Sequence, residues 1–277
     1  MQKVKKFGLQ TTLAVVITLI AIHFVSAFTI DRRLQYKEIS YTSPKVRPEL
    51  HGYTIAFVTD AHSMSKNKMR QMVAKINARK VDLLLLGGDM ATNGLLWQTM
   101  PVLAQTKTAD GIYGVDGNHD KFYELFAAMR VNGIKPLDNA GVHLRPGLYL
   151  AGVQDDWVRM PDVERALSRA NPDDFVLLLS HNPDVAMKQD ISKADLMLAG
   201  HTHGGQVTYL GKWAPALNIC KFFTPYGQKF MRGWAKGQHG TDVFISSGVG
   251  QKTFSPRVFA PPQVIYLTLK ATAMETA

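Results

Sequence analysis

Tyr53-Thr54-Ile55-Ala56-Phe57-Val58-Thr59-Asp60-Ala61-His62 is the stretch from which the rest of the chain can be read. Its first seven residues are rich in β-branched and aromatic side chains, and they stop at an aspartate followed by Asp-x-His spacing. A short apolar run bounded by polar residues reads as a buried strand. Downstream, residues 66–80 place Met69, Met72, Val73 and Ile76 at the i, i+3, i+4, i+7 spacing of an amphipathic helix. Val81 to Leu86 reads as a second buried strand, ending at Gly87-Gly88-Asp89. A mixed helical segment around Leu95 to Lys107 leads to a third strand, Gly111 to Val115, which ends at Asp116-Gly117-Asn118-His119-Asp120. Phe122, Leu125, Phe126 and Met129 give another helical stripe.

Further strands are expected at Leu148 to Val153, Phe175 to Leu179, Asp195 to Ala199, Gln206 to Leu210, Val243 to Ser246 and Val264 to Leu269. The early βαβα alternation implies parallel strands covered by helices, and the later, closely spaced strands imply a second, mixed sheet. Ligands in open α/β sheets bind at the carboxyl ends of strands. Asp60, Asp89, Asn118 and His181 each fall just past such an end, so four strands deliver oxygen or imidazole donors to one edge.

Composition narrows the classes. The chain has 277 residues, 46% hydrophobic and 19% charged, which excludes a disordered or fibrous protein. Its one cysteine, Cys220, excludes an intrachain disulfide framework and a thiolate zinc cluster. A net charge of +10 favours anionic partners such as phosphorylated substrates, anionic lipid or nucleic acid.

The amino end is a separate physical object. Residues 8–28, GLQTTLAVVITLIAIHFVSAF, contain no acidic or basic residue, and as a helix at about 1.5 Å per residue they would reach a bilayer's ~30 Å hydrocarbon thickness. Residues 1–28 are therefore expected to form a stub and a single-pass transmembrane signal anchor in the cell (inner) membrane. A cleaved signal peptide ending at Val25-Ser26-Ala27 is the competing reading. Lysines precede the span and Arg32, Arg33, Lys37, Lys45 and Arg47 follow it, so the positive-inside bias nearly cancels and leaves the orientation open. Residues 29–50, polar and containing Pro44 and Pro48, read as a stalk. Residues 51–270 read as one catalytic-sized domain and 271–277 as a frayed tail.

The donor-bearing segments are Asp60-Ala61-His62, Gly88-Asp89, Gly117-Asn118-His119-Asp120, Ser180-His181-Asn182 and Gly200-His201-Thr202-His203. Singly, each histidine reads as a hydrogen-bonded core or loop residue. Together, in this order and at strand ends, they read as a metal centre, and oxygen and imidazole donors without thiolate suit Mn²⁺, Fe or Zn²⁺. His23, His51, His143 and His239 stand outside this pattern and read as structural.

The set D-x-H, G-D, G-N-H-D, H, G-H-x-H resembles the calcineurin-like metallophosphoesterases, from about residue 53 to 269. Gly200-His201-Thr202-His203-Gly204-Gly205-Gln206 and Ser180-His181-Asn182-Pro183 are similar to the wording of the bacterial membrane-associated YkuE/YaeI-like phosphodiesterase branch, which includes a UDP-2,3-diacylglucosamine hydrolase. The resemblance implies a four-layer α/β/β/α sandwich with two mixed sheets. It implies one metal held by Asp60, His62 and His203, a second held by Asn118, His181 and His201, and Asp89 bridging the two. It also places His119 at the leaving group, as general acid or charge stabiliser, with Asp120 orienting it through a hydrogen bond. Ala61, where relatives usually carry Leu, and Gln263, where the branch often has Glu, depart from the pattern without touching a ligand position.

Two divalent ions against Asp60, Asp89 and a bridging hydroxide leave the cluster net positive. Metal-bound hydroxide is then available near neutral pH for in-line attack on phosphorus. The expected activity is hydrolysis of a phosphodiester or pyrophosphate bond. The expected substrate is a phosphorylated lipid or nucleotide-linked small molecule at the membrane. A phosphomonoesterase or phosphoprotein phosphatase would share the same core, and a non-catalytic, membrane-tethered polyanion-binding protein is the reading from another class. From Leu196 through Thr241 there is no Asp or Glu, while Lys212, Lys221, Lys229, Arg232 and Lys236 interleave with Trp213, Phe222, Phe223, Tyr226, Phe230 and Trp234. This segment reads either as a border of the site facing lipid headgroups or as a loop over its own packed aromatics. The tethering makes nucleic acid the weaker partner.

Overall fold

The computed structural model describes residues 2–29, 32–92, 95–219, 221, 223–250 and 255–272, with the backbone alone for residues 2–9 and 26. In chain order the elements are α1 (Gln2–Phe28), β1 (Gln35–Ser43), β2 (Thr54–Val58), α2 (Lys66–Arg79), β3 (Leu83–Gly87), α3 (Leu96–Leu103), β4 (Ile112–Val115), α4 (Phe122–Val131), β5 (Lys135–Pro136), β6 (Ala140–Arg145) and β7 (Leu148–Gly152). They continue with α5 (Val163–Leu167), β8 (Phe175–Leu179), α6 (Val185–Lys188), β9 (Leu196–Ala199), α7 (Pro215–Asn218), β10 (Gly233–Lys236), β11 (Asp242–Ile245) and β12 (Gln263–Ala271).

Two six-stranded sheets result, ordered β1-β12-β2-β3-β4-β5 and β10-β11-β9-β8-β7-β6. Both are mixed: β2, β3, β4 and β5 run parallel while β12 pairs antiparallel with β2, and β6 and β10 are antiparallel edges of the second sheet. The period-2 alternation of side chains builds the layers. On the first sheet Ile55, Phe57, Leu83 and Leu85 face the second sheet, where they meet Leu148, Leu150, Leu177, Leu179, Leu196, Leu198 and Phe244. Their neighbours Ala56, Val58, Leu84 and Leu86 face α2, α3 and α4. Tyr149, Ala151, Val176, Leu178 and Met197 face the opposite helices. This is the expected four-layer α/β/β/α sandwich. Strands buried on both faces explain the near-continuous apolar runs that marked them in the sequence. The α2 stripe is buried at Met69, Met72, Val73 and Ile76, and Ser65 caps that helix by accepting from the Lys68 amide.

Three expectations change. Residues 29–50 are not a free stalk, because β1 occupies Gln35–Ser43 and pairs parallel with β12 from Gln35↔Gln263 to Ser43↔Ala271. Its polar residues face solvent on a sheet edge while Tyr36, Ile39 and Tyr41 pack inward, so an edge strand resembles a stalk in composition. Ala271 closes β12, and residues 273–277 of the expected tail lie outside the described residues. Gln206 to Leu210 forms no strand; it makes only isolated bridges, Val207↔Val258 and Tyr209↔Trp213, between the positive-φ turns at Gly204-Gly205-Gln206 and Leu210-Gly211.

The third concerns the amino end. α1 is helical over 27 residues, yet among the described residues no helix is long and apolar enough to cross a membrane. The expected transmembrane span is therefore not a feature of the described structure. What α1 does show is an uncovered apolar surface, including Leu13, Ile17, Ile20, Phe24 and Val25, each at least half exposed. Its carboxyl end leans on the domain, where Arg257 donates its amide to the Ala27 carbonyl at 3.2 Å and His23 meets Phe259 edge-on.

Candidate dimetal centre

Loops after β2, β3, β4, β8 and β9 bring the seven expected ligands to one sheet edge. Asp60, His62, Asp89 and His181 are at most 1% exposed, His201 4% and His203 7%. Burial of that many polar groups is stable only when each is hydrogen-bonded, paired or metal-bound.

The tautomers follow from the outer partners. His181 Nδ1 donates to the Gly87 carbonyl at 2.7 Å, and His201 Nε2 donates to the Phe223 carbonyl at 2.9 Å. Lone pairs are left on His181 Nε2 and His201 Nδ1, which face each other at 3.3 Å. Asn118 Oδ1 joins them, 3.0 Å from His201 Nδ1. On the other side His62 Nε2 lies 3.0 Å from His203 Nε2, with Asp60 Oδ1 3.6 Å from the latter. Asp89 Oδ2 stands between the two groups, 3.5 Å from His62 Nε2 and 3.4 Å from His181 Nε2. Donors spaced 3.0–3.6 Å apart are the edges of a shell around an ion at about 2.1 Å from each. The residues fit two divalent ions, and Asp60-His62-His203 and Asp60-Asp89-His181 each converge closely enough to hold one. Asp60 Oδ1 is 4.0 Å from both His62 Nε2 and His181 Nε2, so it too stands near the midline.

The charges of the cluster are tightly coupled. Burial lowers the His181 pKa, but Asp89 and then Asp60 outweigh it and hold the ring well above its ordinary value. Burial likewise raises Asp89, yet His181, His62 and His119 together hold it below the usual carboxylate range. Asp60 is pushed up to about 6, by burial first and against the pull of His181. His201 falls to about 3 through burial and the charge on His181.

The backbone around the ligands is strained. Asp60, His62, Asp89, His201 and His203 all have φ between +44° and +70°, the left-handed region that non-glycine residues seldom occupy. Strain of that kind persists only where the surroundings over-determine it. Here the His201 amide donates to the Asp60 carboxylate at 3.1 Å and the His119 amide to Asp89 Oδ1 at 2.8 Å. The glycines of the motifs are spatial requirements: a Cβ at Gly117 would stand 2.4 Å from Asp89 Oδ1, and one at Gly200 2.4 Å from Asp60 Oδ2.

His119 is exposed, with its ring edge toward His62 at 5.5 Å. Asp120 has a structural role of its own. Its carboxylate accepts the backbone amides of Asp89 (2.6 Å), Gly117 (2.9 Å) and Met90 (3.1 Å), so it staples the two ligand loops together. Three amide donors take up most of the accepting capacity of the Asp120 carboxylate.

The acid-free segment does border the centre, through backbone more than through its aromatic faces. The Phe223 carbonyl holds His201, and the Met231 carbonyl accepts the Thr202 hydroxyl at 2.8 Å. Trp234 stacks on Tyr41, Phe230 is buried, and Arg232 donates to the Phe259 and Gly211 carbonyls, so these residues pack the loop. Phe222 and Cys220 lie outside the described residues. Away from the centre, His143 pairs with Asp174 at 2.8 Å and His23 bonds the Leu19 carbonyl within α1.

Two residues at the centre carried no sequence signal that was read. Trp157, in the loop after β7, sets its ring 4.5 Å edge-on from His201 and remains 44% exposed, forming a wall of the site. Buried Asp155 holds it there by accepting the Trp157 and Val158 amides. The same strand-end rule that found the ligands applies to Gln154-Asp155-Asp156-Trp157. Arg257 is fully buried behind His203, its Nη2 3.3 Å from His203 Nδ1 and donating to the Ser247 and Gly250 carbonyls. No periodicity or motif points to it.

Comparison with known proteins agrees with this geometry. The family model described as calcineurin-like phosphoesterase matches residues 53–205, just over half of the chain. An uncharacterized metallophosphoesterase of Helicobacter pylori is 28% identical over 86% of this chain, which spans 64% of that relative's length. The uncharacterized metallophosphoesterase YkuE of Bacillus subtilis is 28% identical over 80% of each chain. A Bos taurus protein named as a transmembrane protein with metallophosphoesterase domain is 24% identical over 98% of this chain and 65% of its own. Donor set, sheet edge and family match coincide on the same residues, and the chain belongs to the calcineurin-like phosphoesterase family of metal-dependent phosphoester hydrolases.

Proposed function

We propose that the chain hydrolyses a phosphodiester or pyrophosphate bond in a phosphorylated lipid or nucleotide-lipid at a membrane surface. The observation that carries the hydrolytic reading is the pair of convergent lone-pair sets meeting at Asp89 Oδ2, 3.5 Å from His62 and 3.4 Å from His181. When bound, two divalent ions supply Lewis-acid polarisation of the phosphate and a nucleophile at neutral pH. The chain's own residues do the rest. Asp60 and Asp89 offset only part of the ions' charge, so the centre attracts an anionic phosphate. Asp120 keeps the Asp89 and Asn118 loops at fixed separation. In this reading His119 hands a proton to the departing oxygen. Beside Asn118 a groove of about 450 Å³, lined by Lys121, Phe122, Tyr123 and Arg159, offers room for the rest of a substrate.

The membrane half of the proposal rests on the uncovered apolar surface of α1, on the charge of +10, and on the name of the bovine relative. The experiment is turnover by purified full-length chain, with Mn²⁺ and after chelation, on a bis-aryl phosphodiester, an aryl monoester, a nucleotide diphospho-sugar lipid and a phosphopeptide. Metal-dependent turnover led by the diester or the nucleotide-lipid is expected. Preference for the monoester or phosphopeptide would replace the substrate class, and turnover that survives chelation would remove the mechanism.

A further inference from the structure

At the foot of α1, where it meets β1 and the first turns of α2, lies a second cavity of about 720 Å³. Four cations line it: Arg32 and Arg33 from the α1–β1 connection, and Lys68 and Lys75 from one face of α2. None of its described lining residues is acidic. Arg33, Lys68 and Lys75 are exposed. The first turn of α2, capped by Ser65, also carries no acidic residue, so no side-chain charge there opposes an anion. The other lining residues include Phe28, Leu34, Tyr36, Met64 and Val249. The cavity thus pairs a cationic rim with an apolar wall. That wall continues onto the exposed surface of α1, where Phe24 is 67% and Val25 60% exposed.

Its position relative to the metal centre is defined. Ser63 in its wall follows the ligand His62, and the amides of Val249 and Gly250 donate to the carbonyls of Thr59 and Asp60, each at 2.9 Å. The backbone that carries Asp60 is therefore the partition between cavity and centre.

We propose that this cavity is a separate binding site for an acidic phospholipid, its phosphate among Lys68, Lys75 and Arg33 and its chains along the exposed face of α1. A soluble phosphate would satisfy the cations and leave the apolar wall bare, and a zwitterionic lipid would satisfy the wall and set its own cation against four others. The volume falls in the range of small-ligand sites, roughly 300–1,000 Å³. The inference shares the membrane-side placement proposed above and does not depend on the hydrolytic reading.

The test is binding of fluorescent dioctanoyl phosphatidic acid to the full chain in neutral detergent micelles, with dioctanoyl phosphatidylcholine and glycerol 3-phosphate as competitors. Saturable binding is expected, with both competitors weaker by about tenfold or more. Lys68→Glu/Lys75→Glu should weaken it at least about tenfold, equivalent to about 1.4 kcal/mol, while leaving metal-dependent hydrolysis of a soluble diester within about twofold of the unaltered chain. Arg33→Gln, on a different element, should weaken binding in the same direction if the double variant misfolds. Asp89→Ala, which disables the metal centre, should bind the lipid as the unaltered chain does. Loss of binding in Asp89→Ala would move the lipid to the metal centre and overturn a separate site. Equal binding of glycerol 3-phosphate would make the ligand a soluble phosphate, and unchanged binding in the charge-reversed chain would overturn the site altogether.

Discussion

Two groups of buried carboxylates stand past the strand ends of this molecule, and they are solved in opposite ways. Asp60 and Asp89 are surrounded by His62, His181 and His203, so imidazoles and incoming cations balance them. Asp116, Asp155 and Asp184 are equally inaccessible, at 0% exposure, but their cations stand farther off, Arg159 at 3.9 Å from Asp116. Asp116 is pushed up to about 7 by burial and by Asp155, and Asp184 to about 6 by burial. One oxygen of each of these three lies buried without a hydrogen-bond partner. At the same depth Asp89 is held as an anion by His181, His62 and His119, whereas Asp60 shares the upward shift that burial gives Asp116 and Asp184. The charges beside a buried aspartate, and not burial alone, set the direction of its shift.

Removing a carboxylate should therefore have opposite consequences in the two groups. The largest effect is expected at the compensated one: Asp89→Ala should bring turnover of a phosphodiester to background, measured alongside a folding control by circular dichroism. Retained turnover there would erase the distinction. His119→Ala comes next, with kcat lowered about 10²–10⁴-fold, metal content kept, and the loss greatest for substrates with poor leaving groups. An equal loss across leaving groups would recast His119 as an electrostatic stabiliser, and loss of metal would make it part of the scaffold.

The smallest effect should appear in the uncompensated group. A carboxyl whose folded pKa of about 6 exceeds its reference of 3.8 holds its proton better when folded. Below pH 4 its contribution is fully present; between pH 4 and about 6 the folded chain binds more protons, so stability falls as pH rises through that window. Asp184→Asn removes the penalty and should stabilise the chain by on the order of 1–3 kcal/mol at pH 8, converging on the unaltered chain near pH 4. Thermal unfolding at both pH values reads this directly, and a pH-independent difference would show that Asp184 is charged in the fold.

The sequence made the compensated group legible and left the other hidden, for a physical reason. Buried strands are written as continuous apolar runs, so their ends are visible, and His and Asp just past those ends stand out. Asp120 followed the same rule, but its role depended on three backbone amides that only the folded loops bring together. β1 was missed because an edge strand buries one face only, and its composition between Arg33 and Pro44 is that of a linker. Arg257 could not be found at all: it acts through carbonyl oxygens of residues 203, 247, 250 and 260, which leave no side-chain signature. Trp157 sat within reach of the strand-end rule, in the loop held by Asp155.

Metal stoichiometry tests the central claim most directly. Elemental analysis of the full chain purified with Mn²⁺ should find two ions per chain, one ion in His201→Ala, and none retained at stoichiometric level in Asp89→Ala. A single ion per chain in the unaltered protein, or two in Asp89→Ala, would contradict a centre built on Asp89 as the shared ligand.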